Sequence, residues 1–215
     1  IGTSLSKAFS STNANLFLIG SSDEKISVLR EELPSKENIR FFTVDLRQRK
    51  NVNAFCDSII DEFGGISVVI NNAGIAEDNI FMRMSDSAWD KVFAINLDAS
   101  MIICRKFIRG MIKNKWGRIV NISSVVASTG NPGQTNYVAS KGALNGLTKS
   151  LALEVATRGV TVNCISPGFI DTAMTAELTN DQKLKIIEKI PMGRMGTGSD
   201  ISSLVLFLVS SESSY

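Results

Sequence analysis

Short apolar runs alternate along the chain with longer segments in which apolar residues recur every three or four positions. The runs at 16–19, 39–44, 66–70, 118–122 and 160–165 are nearly continuously apolar. That pattern predicts strands buried on both faces, as in a parallel sheet. Segments of about 2–12, 22–33, 48–63, 86–113 and 134–157 carry the helical spacing, and 200–210 is helix-like too. Strands and helices in regular alternation predict an α/β fold with a doubly wound parallel sheet, three layers deep in the order αβα. No internal repeat, low-complexity stretch or linker divides the chain, so 1–215 reads as a single domain.

The ends of the apolar runs carry a second pattern. They give way in turn to Gly20-Ser21-Ser22, Asp45, Asn71-Asn72-Ala73-Gly74, Ser123-Ser124 and Ser166-Pro167-Gly168. Turn chemistry alone accounts for any one of these loops. Five in succession, at the carboxyl ends where open parallel sheets bind ligands, point to a nucleotide-binding crevice. The first helical pattern follows Ile1-Gly2 without a strand before it. A dinucleotide fold places a strand and a glycine-rich turn there, whose amides meet a pyrophosphate. Gly2 suits the last glycine of such a turn. A closing strand would also follow 200–210, where the text stops at Tyr215. The expectation is a dinucleotide-binding domain lacking its first strand, most of its glycine-rich turn and its last strand.

Composition narrows the chemistry. With 44% hydrophobic and 20% charged residues, this is an ordinary globular chain. A net charge of +2 without a basic run argues against a nucleic-acid surface. Cys56, Cys104 and Cys164 are odd in number and far apart. They read as reduced core thiols, with a cytoplasmic location as the default and no metal site. A removed organelle transit peptide stays open. No apolar run is long enough to span a bilayer. The chain has no histidine, so a proton moved near neutral pH needs another carrier. Tyr137, one of only two tyrosines, has Lys141 four residues on, and such positions share a helix face. Lowering a tyrosine pKa from about 10 by about 3 units takes about 4 kcal/mol. A cation about 4 Å away supplies that at an effective dielectric near 20.

The chain resembles the short-chain dehydrogenase/reductase family over essentially its whole length. The match rests on Asn71-Asn72-Ala73-Gly74, Asn96 in Ile95-Asn96-Leu97, and Ser124 after Val120-Asn121-Ile122-Ser123. Tyr137, Lys141 and then Pro167-Gly168 with Thr172 complete it. Twelve residues separate Ser124 from Tyr137 and three separate Tyr137 from Lys141, as in the family pattern. Within the family the chain looks most like the reductases of 3-oxoacyl groups carried on acyl carrier protein in bacterial fatty-acid synthesis. The stretches Phe81-Met82-Arg83-Met84, Gly130-Asn131-Pro132-Gly133-Gln134 and Glu154-Val155-Ala156-Thr157-Arg158-Gly159 carry that narrower likeness. The alternative is another family reductase, acting on acyl-CoA, a sugar or a polycyclic alcohol. A non-catalytic dinucleotide sensor would have lost Tyr137 or Lys141, and both are present.

The resemblance implies a role for each position. Tyr137 is the general acid, Ser124 orients the substrate carbonyl, and Lys141 holds the nicotinamide ribose and lowers the Tyr137 pKa. Asn96 kinks its helix and holds a water that feeds a proton relay through Lys141. Ile1 and Gly2 close the phosphate turn, and Asp45 and Leu46 flank the adenine. Asn72, Ala73 and Gly74 line the adenosine side. Pro167, Gly168, Ile170 and Thr172 run beside the nicotinamide, with the Ile170 amide and Thr172 hydroxyl as donors to its carboxamide. Ser21 and Ser22 stand where an NAD enzyme keeps an acid, which favours NADP(H), although Asp23 counts against it. Lys115 and Arg158 match basic positions that receive the acidic carrier protein. The helices at 86–113 and 134–157 are expected to pair subunits into a homotetramer, through Met101, Ile102, Ile103, Leu144, Leu147, Leu151 and Leu153.

Overall fold

A computed structural model describes residues 1–172, 175 and 179–215. Its strands are β1 (Leu16–Gly20), β2 (Ile39–Thr43), β3 (Val68–Asn71), β4 (Gly117–Ile122) and β5 (Val160–Ile165). The helices before the third strand are α1 (Gly2–Ser10), α2 (Asp23–Glu32) and α3 (Arg49–Phe63). After it come α4 (Asp86–Phe93), α5 (Ala99–Lys113), the short α6 (Val126–Thr129) and α7 (Thr135–Val155). The chain continues through α8 (Asn180–Ile187) and α9 (Gly198–Val209).

Local chemistry sets several boundaries. Ser22 caps α2 by accepting from the Lys25 N–H, and Asp23 and Glu24 face the positive end of that helix. The αL conformation of Gly64, φ 76°, ends α3. Capping boxes open α8 and α9, pairing Thr179 with Gln182 and Thr197 with Asp200. The periodicity reading missed α8, although its box was legible.

All strand pairs are parallel, but they form two sheets, β1–β2 and β3–β4–β5, where one was expected. Among the described residues, β1 and β3 are each paired on one side only. One apolar cluster nevertheless serves both sheets. Phe17 and Phe42 pack against the group that holds Val52 and Ile59 of α3, Ile102 and Phe107 of α5, and Ile119 of β4. The next residues of β4 point the other way. Val120 and Ile122 meet Leu5 of α1 and Ile201 and Val205 of α9. A fully buried Val or Ile contributes about 2 kcal/mol. This alternation therefore holds helices on both faces of the doubly wound fold.

The segment 86–113 is helical throughout, with a π-helical turn, Ala94–Asp98, between α4 and α5. The apolar residues read as subunit contacts divide between this chain's own core and its surface. Ile102 and Leu144 are fully buried, and Met101, Ile103 and Leu151 pack against the core cluster, while Leu153 stays 83% exposed. Among the described residues, no helix is long and apolar enough to cross a membrane.

Candidate active site

The carboxyl end of β4 meets the first turns of α7, and this contact builds the centre of the site. Lys141 Nζ donates to the Ile122 carbonyl at 2.7 Å, and Ser123 Oγ donates to the Lys141 carbonyl at 3.2 Å. Lys141 is only 3% exposed, and burial pulls its pKa down to about 8. One turn earlier, the Tyr137 ring centroid lies 5.8 Å from that ammonium. Burial raises the Tyr137 pKa, the Ser124 side chain lowers it through a hydrogen bond, and the Asp78 charge raises it. The electrostatic expectation is corrected on this point. The ammonium is engaged by the Ile122 carbonyl, and Ser124 is what offsets the burial. A phenol biased toward its protonated form is suited to act as an acid.

Asn96 lies inside the π-helical turn and is fully buried. Such single π turns cluster at functional sites. Its Oδ1 accepts from the Ile75 N–H at 2.9 Å, and its Nδ2 donates to the Ile75 carbonyl at 3.0 Å and to Ser140 Oγ at 3.1 Å. Ser140 Oγ in turn donates to the Tyr137 carbonyl at 2.8 Å. Asn96 thus ties the Asn72-Ala73-Gly74 loop to the catalytic turn of α7. A Cβ on Gly74 would lie 3.2 Å from Lys141 Nζ and 3.4 Å from Asn96 Oδ1. Gly74→Ala is therefore expected to displace both groups by tenths of an ångström and to lower turnover about tenfold. Steady-state kinetics beside an unchanged circular dichroism spectrum checks this.

The other predicted residues ring the same end of the fold. No side chain caps the amino end of α1 at Ile1, and its first turn holds no acid, so its amides suit an anion. A Cβ on Gly2 would press on Asn72 Nδ2 at 2.9 Å, so a larger residue would crowd the loop there. Asp23, the acid that counted against NADP(H), accepts one hydrogen bond from the Thr43 hydroxyl. Ser22 Oγ is already engaged as a helix cap, while Ser21 is exposed. Asp45 is gripped by Arg47, whose Nε and Nη2 each donate at 2.8 Å, and this fork holds its carboxyl below the usual range. Leu46 packs against the core margin. The Pro167 carbonyl accepts from the Val125 N–H at 2.9 Å. Ile170 bridges to Gly196 through bonds that leave its own N–H out. The Thr172 N–H donates to Thr175 Oγ1 at 2.9 Å, and Gly168 is exposed.

Lys115 and Arg158 do not join this group. Both are exposed and sit just before β4 and β5, at the amino ends of the strands. Tyr137 lies at the other end of α7, which at 21 residues is about 30 Å long.

Residue reasoning passed over Asn136, which is fully buried. Its Oδ1 accepts from the Tyr137 N–H at 2.7 Å and its Nδ2 donates to the Glu77 carbonyl at 3.0 Å. Asn136 and Ser140 stand four apart beside Tyr137 and Lys141, and that second polar face was the readable signal. A further buried chain runs from Asn71 Nδ2 to Asn121 Oδ1 at 2.7 Å and from Asn121 Nδ2 to Thr148 Oγ1 at 2.8 Å. It fixes β3, β4 and α7 in mutual register.

The chain was compared with known proteins. A sequence model of the short chain dehydrogenase family matches residues 1–183. The chain is 42% identical to nodulation protein G of Rhizobium sp. (strain N33), covering all of this chain and 87% of that relative. It is 41% identical to the 3-oxoacyl-[acyl-carrier-protein] reductase FabG of Aquifex aeolicus and 40% identical to that of Haemophilus influenzae, covering all of this chain and 88% of each. A serine, tyrosine and lysine gathered at the strand ends of a parallel α/β fold accord with these matches, and the chain belongs to the short-chain dehydrogenase/reductase family of oxidoreductases.

Proposed function

We propose that this protein reduces the 3-oxo group of acyl chains carried on acyl carrier protein, using NADPH. The convergence of Ser124, Tyr137 and Lys141 supports the reduction, and the full-length likeness to carrier-protein reductases supports the substrate. The family uses a nicotinamide dinucleotide, and the chain offers a fitting cradle in the uncapped start of α1 and the glycine approach at Gly74. When bound, that cofactor supplies hydride to the substrate carbonyl carbon. Ser124 donates a hydrogen bond to the carbonyl oxygen and orients it. Tyr137 gives its phenolic proton to the same oxygen. Lys141, anchored on the Ile122 carbonyl, would hold the nicotinamide ribose, and Asn96 holds the adjoining loop in place. Ser21 and Ser22, standing where an NAD enzyme keeps an acid, support NADPH over NADH.

The remaining parts of the reading follow. The protein is a cytoplasmic homotetramer, with exposed Leu153 and half-buried Leu147 available for a subunit contact. Lys115 and Arg158 dock the acidic carrier protein. Because they stand far from Tyr137, they govern encounter and not chemistry.

Reversing both charges is accordingly expected to raise KM for carrier-bound substrate several-fold and to flatten its salt dependence. Turnover of a small soluble thioester should stay unchanged. Equal losses on both substrates would make these residues structural. Equal turnover of carrier-protein and CoA thioesters by the native protein would favour a substrate outside carrier-protein metabolism.

A further inference from the structure

We infer that Asp78 is a specificity-determining residue at the mouth of the site, an uncompensated carboxylate that favours neutral 3-oxo esters and thioesters over free oxo-acid anions. The inference rests on the reductase reading above. Gln134 Nε2 donates to the two Asp78 carboxylate oxygens at 3.1 and 2.9 Å. Gln134 is itself oriented by Asn131 Nδ2, which donates to its Oε1 at 2.8 Å. It stands immediately before α7, three residues ahead of Tyr137. On either side of Asp78 the same two segments are tied again. Asn136 Nδ2 reaches the Glu77 carbonyl at 3.0 Å, and the Asn79 N–H donates to the Gly133 carbonyl at 2.9 Å. Asp78 is therefore the middle residue of a lacing that holds 77–79 against 133–136. Its charge reaches the reacting group, since it is one of the influences on the Tyr137 phenol.

The means of holding it matters. A carboxylate clasped by arginine or lysine becomes part of a neutral pair, whereas an amide donor fixes its position and leaves the charge in force. Neighbouring Glu77 is paired with Lys91. Among the described residues, no lysine or arginine forms an ion pair with Asp78. The cation on the α7 side, Lys141, is buried against the Ile122 carbonyl. A substrate bringing its own carboxylate to this mouth meets the repulsion of that charge. An ester or thioester brings no charge.

The test compares ethyl 3-oxobutanoate with the 3-oxobutanoate anion, at saturating nicotinamide cofactor, in the native protein and in Asp78→Asn and Asp78→Glu. Asparagine retains an oxygen for Gln134 but loses the charge, and glutamate retains the charge. The native protein should prefer the ester in kcat/KM. Asp78→Asn should shift that ratio about fivefold toward the anion. Asp78→Glu should keep the native ratio. Salt at about 0.5 M should narrow the native ratio toward that of the asparagine variant. An unchanged ratio in Asp78→Asn, or equal losses on both substrates, overturns the inference while the reductase reading stands. A native protein that binds cofactor and reduces neither compound overturns both.

Discussion

Tyr137→Phe is expected to lower turnover by about 10²–10⁴-fold or more while the protein stays folded. Phenylalanine fills the same space but has no proton for the carbonyl oxygen, and no histidine exists in the chain to take over. The phenol forms no structural tie that the variant would break, apart from its interaction with Ser124. Cofactor affinity should therefore change little, which separates loss of the acid from loss of binding. Single-turnover kinetics and cofactor fluorescence titration give the two readouts. A folded Tyr137→Phe protein with near-native turnover would remove Tyr137 from the mechanism.

Lys141→Met is expected to abolish most activity and yet stabilise the cofactor-free protein. The buried ammonium has its pKa pulled from 10.5 to about 8, a burial penalty on the order of 3 kcal/mol. Methionine keeps an unbranched stem and carries no charge, but it gives up the 2.7 Å bond to Ile122. The net gain at neutral pH should be about 1–3 kcal/mol, or several degrees in Tm. Its pH dependence has a definite sign. Between about 8 and 10.5 the unfolded chain binds the Lys141 proton and the native protein has shed it, so native stability rises with pH across that window. Below about 8 both states are charged and the full penalty applies. The advantage of the methionine variant should therefore be greatest below pH 8 and shrink as pH rises. Thermal melts across this range check it, and an advantage that widened with pH would contradict the burial account.

The centre of the site was legible in the linear text because spacing on a helix translates directly into a shared face. Tyr137 and Lys141 needed only the 3.6-residue repeat to be placed together. Ser124 needed a parallel strand and its following loop. Asn96 was singled out as a buried polar residue in an apolar helix, but its turn was read as part of one long helix. A π turn inserts a residue without altering the apolar periodicity on either side, so the pattern could not reveal it. Asp78 and Gln134 were illegible for another reason. They act through bonds between segments more than fifty residues apart, and each alone is an ordinary polar loop or helix-start residue.

By itself the sequence determined the strands, most of the helices, the parallel α/β class and the candidate trio Ser124, Tyr137 and Lys141. Apolar periodicity and residue spacing are local quantities, and burial on both faces of a strand writes itself into consecutive residues. Only the tertiary structure decided which charges act on Tyr137, that Lys141 titrates near 8 and that Asp23 and Asp45 already have partners. It also decided that Lys115 and Arg158 lie at the far end of α7 from the chemistry. Electrostatics depends on distance through space and on exclusion of water, and neither is carried by position along a chain.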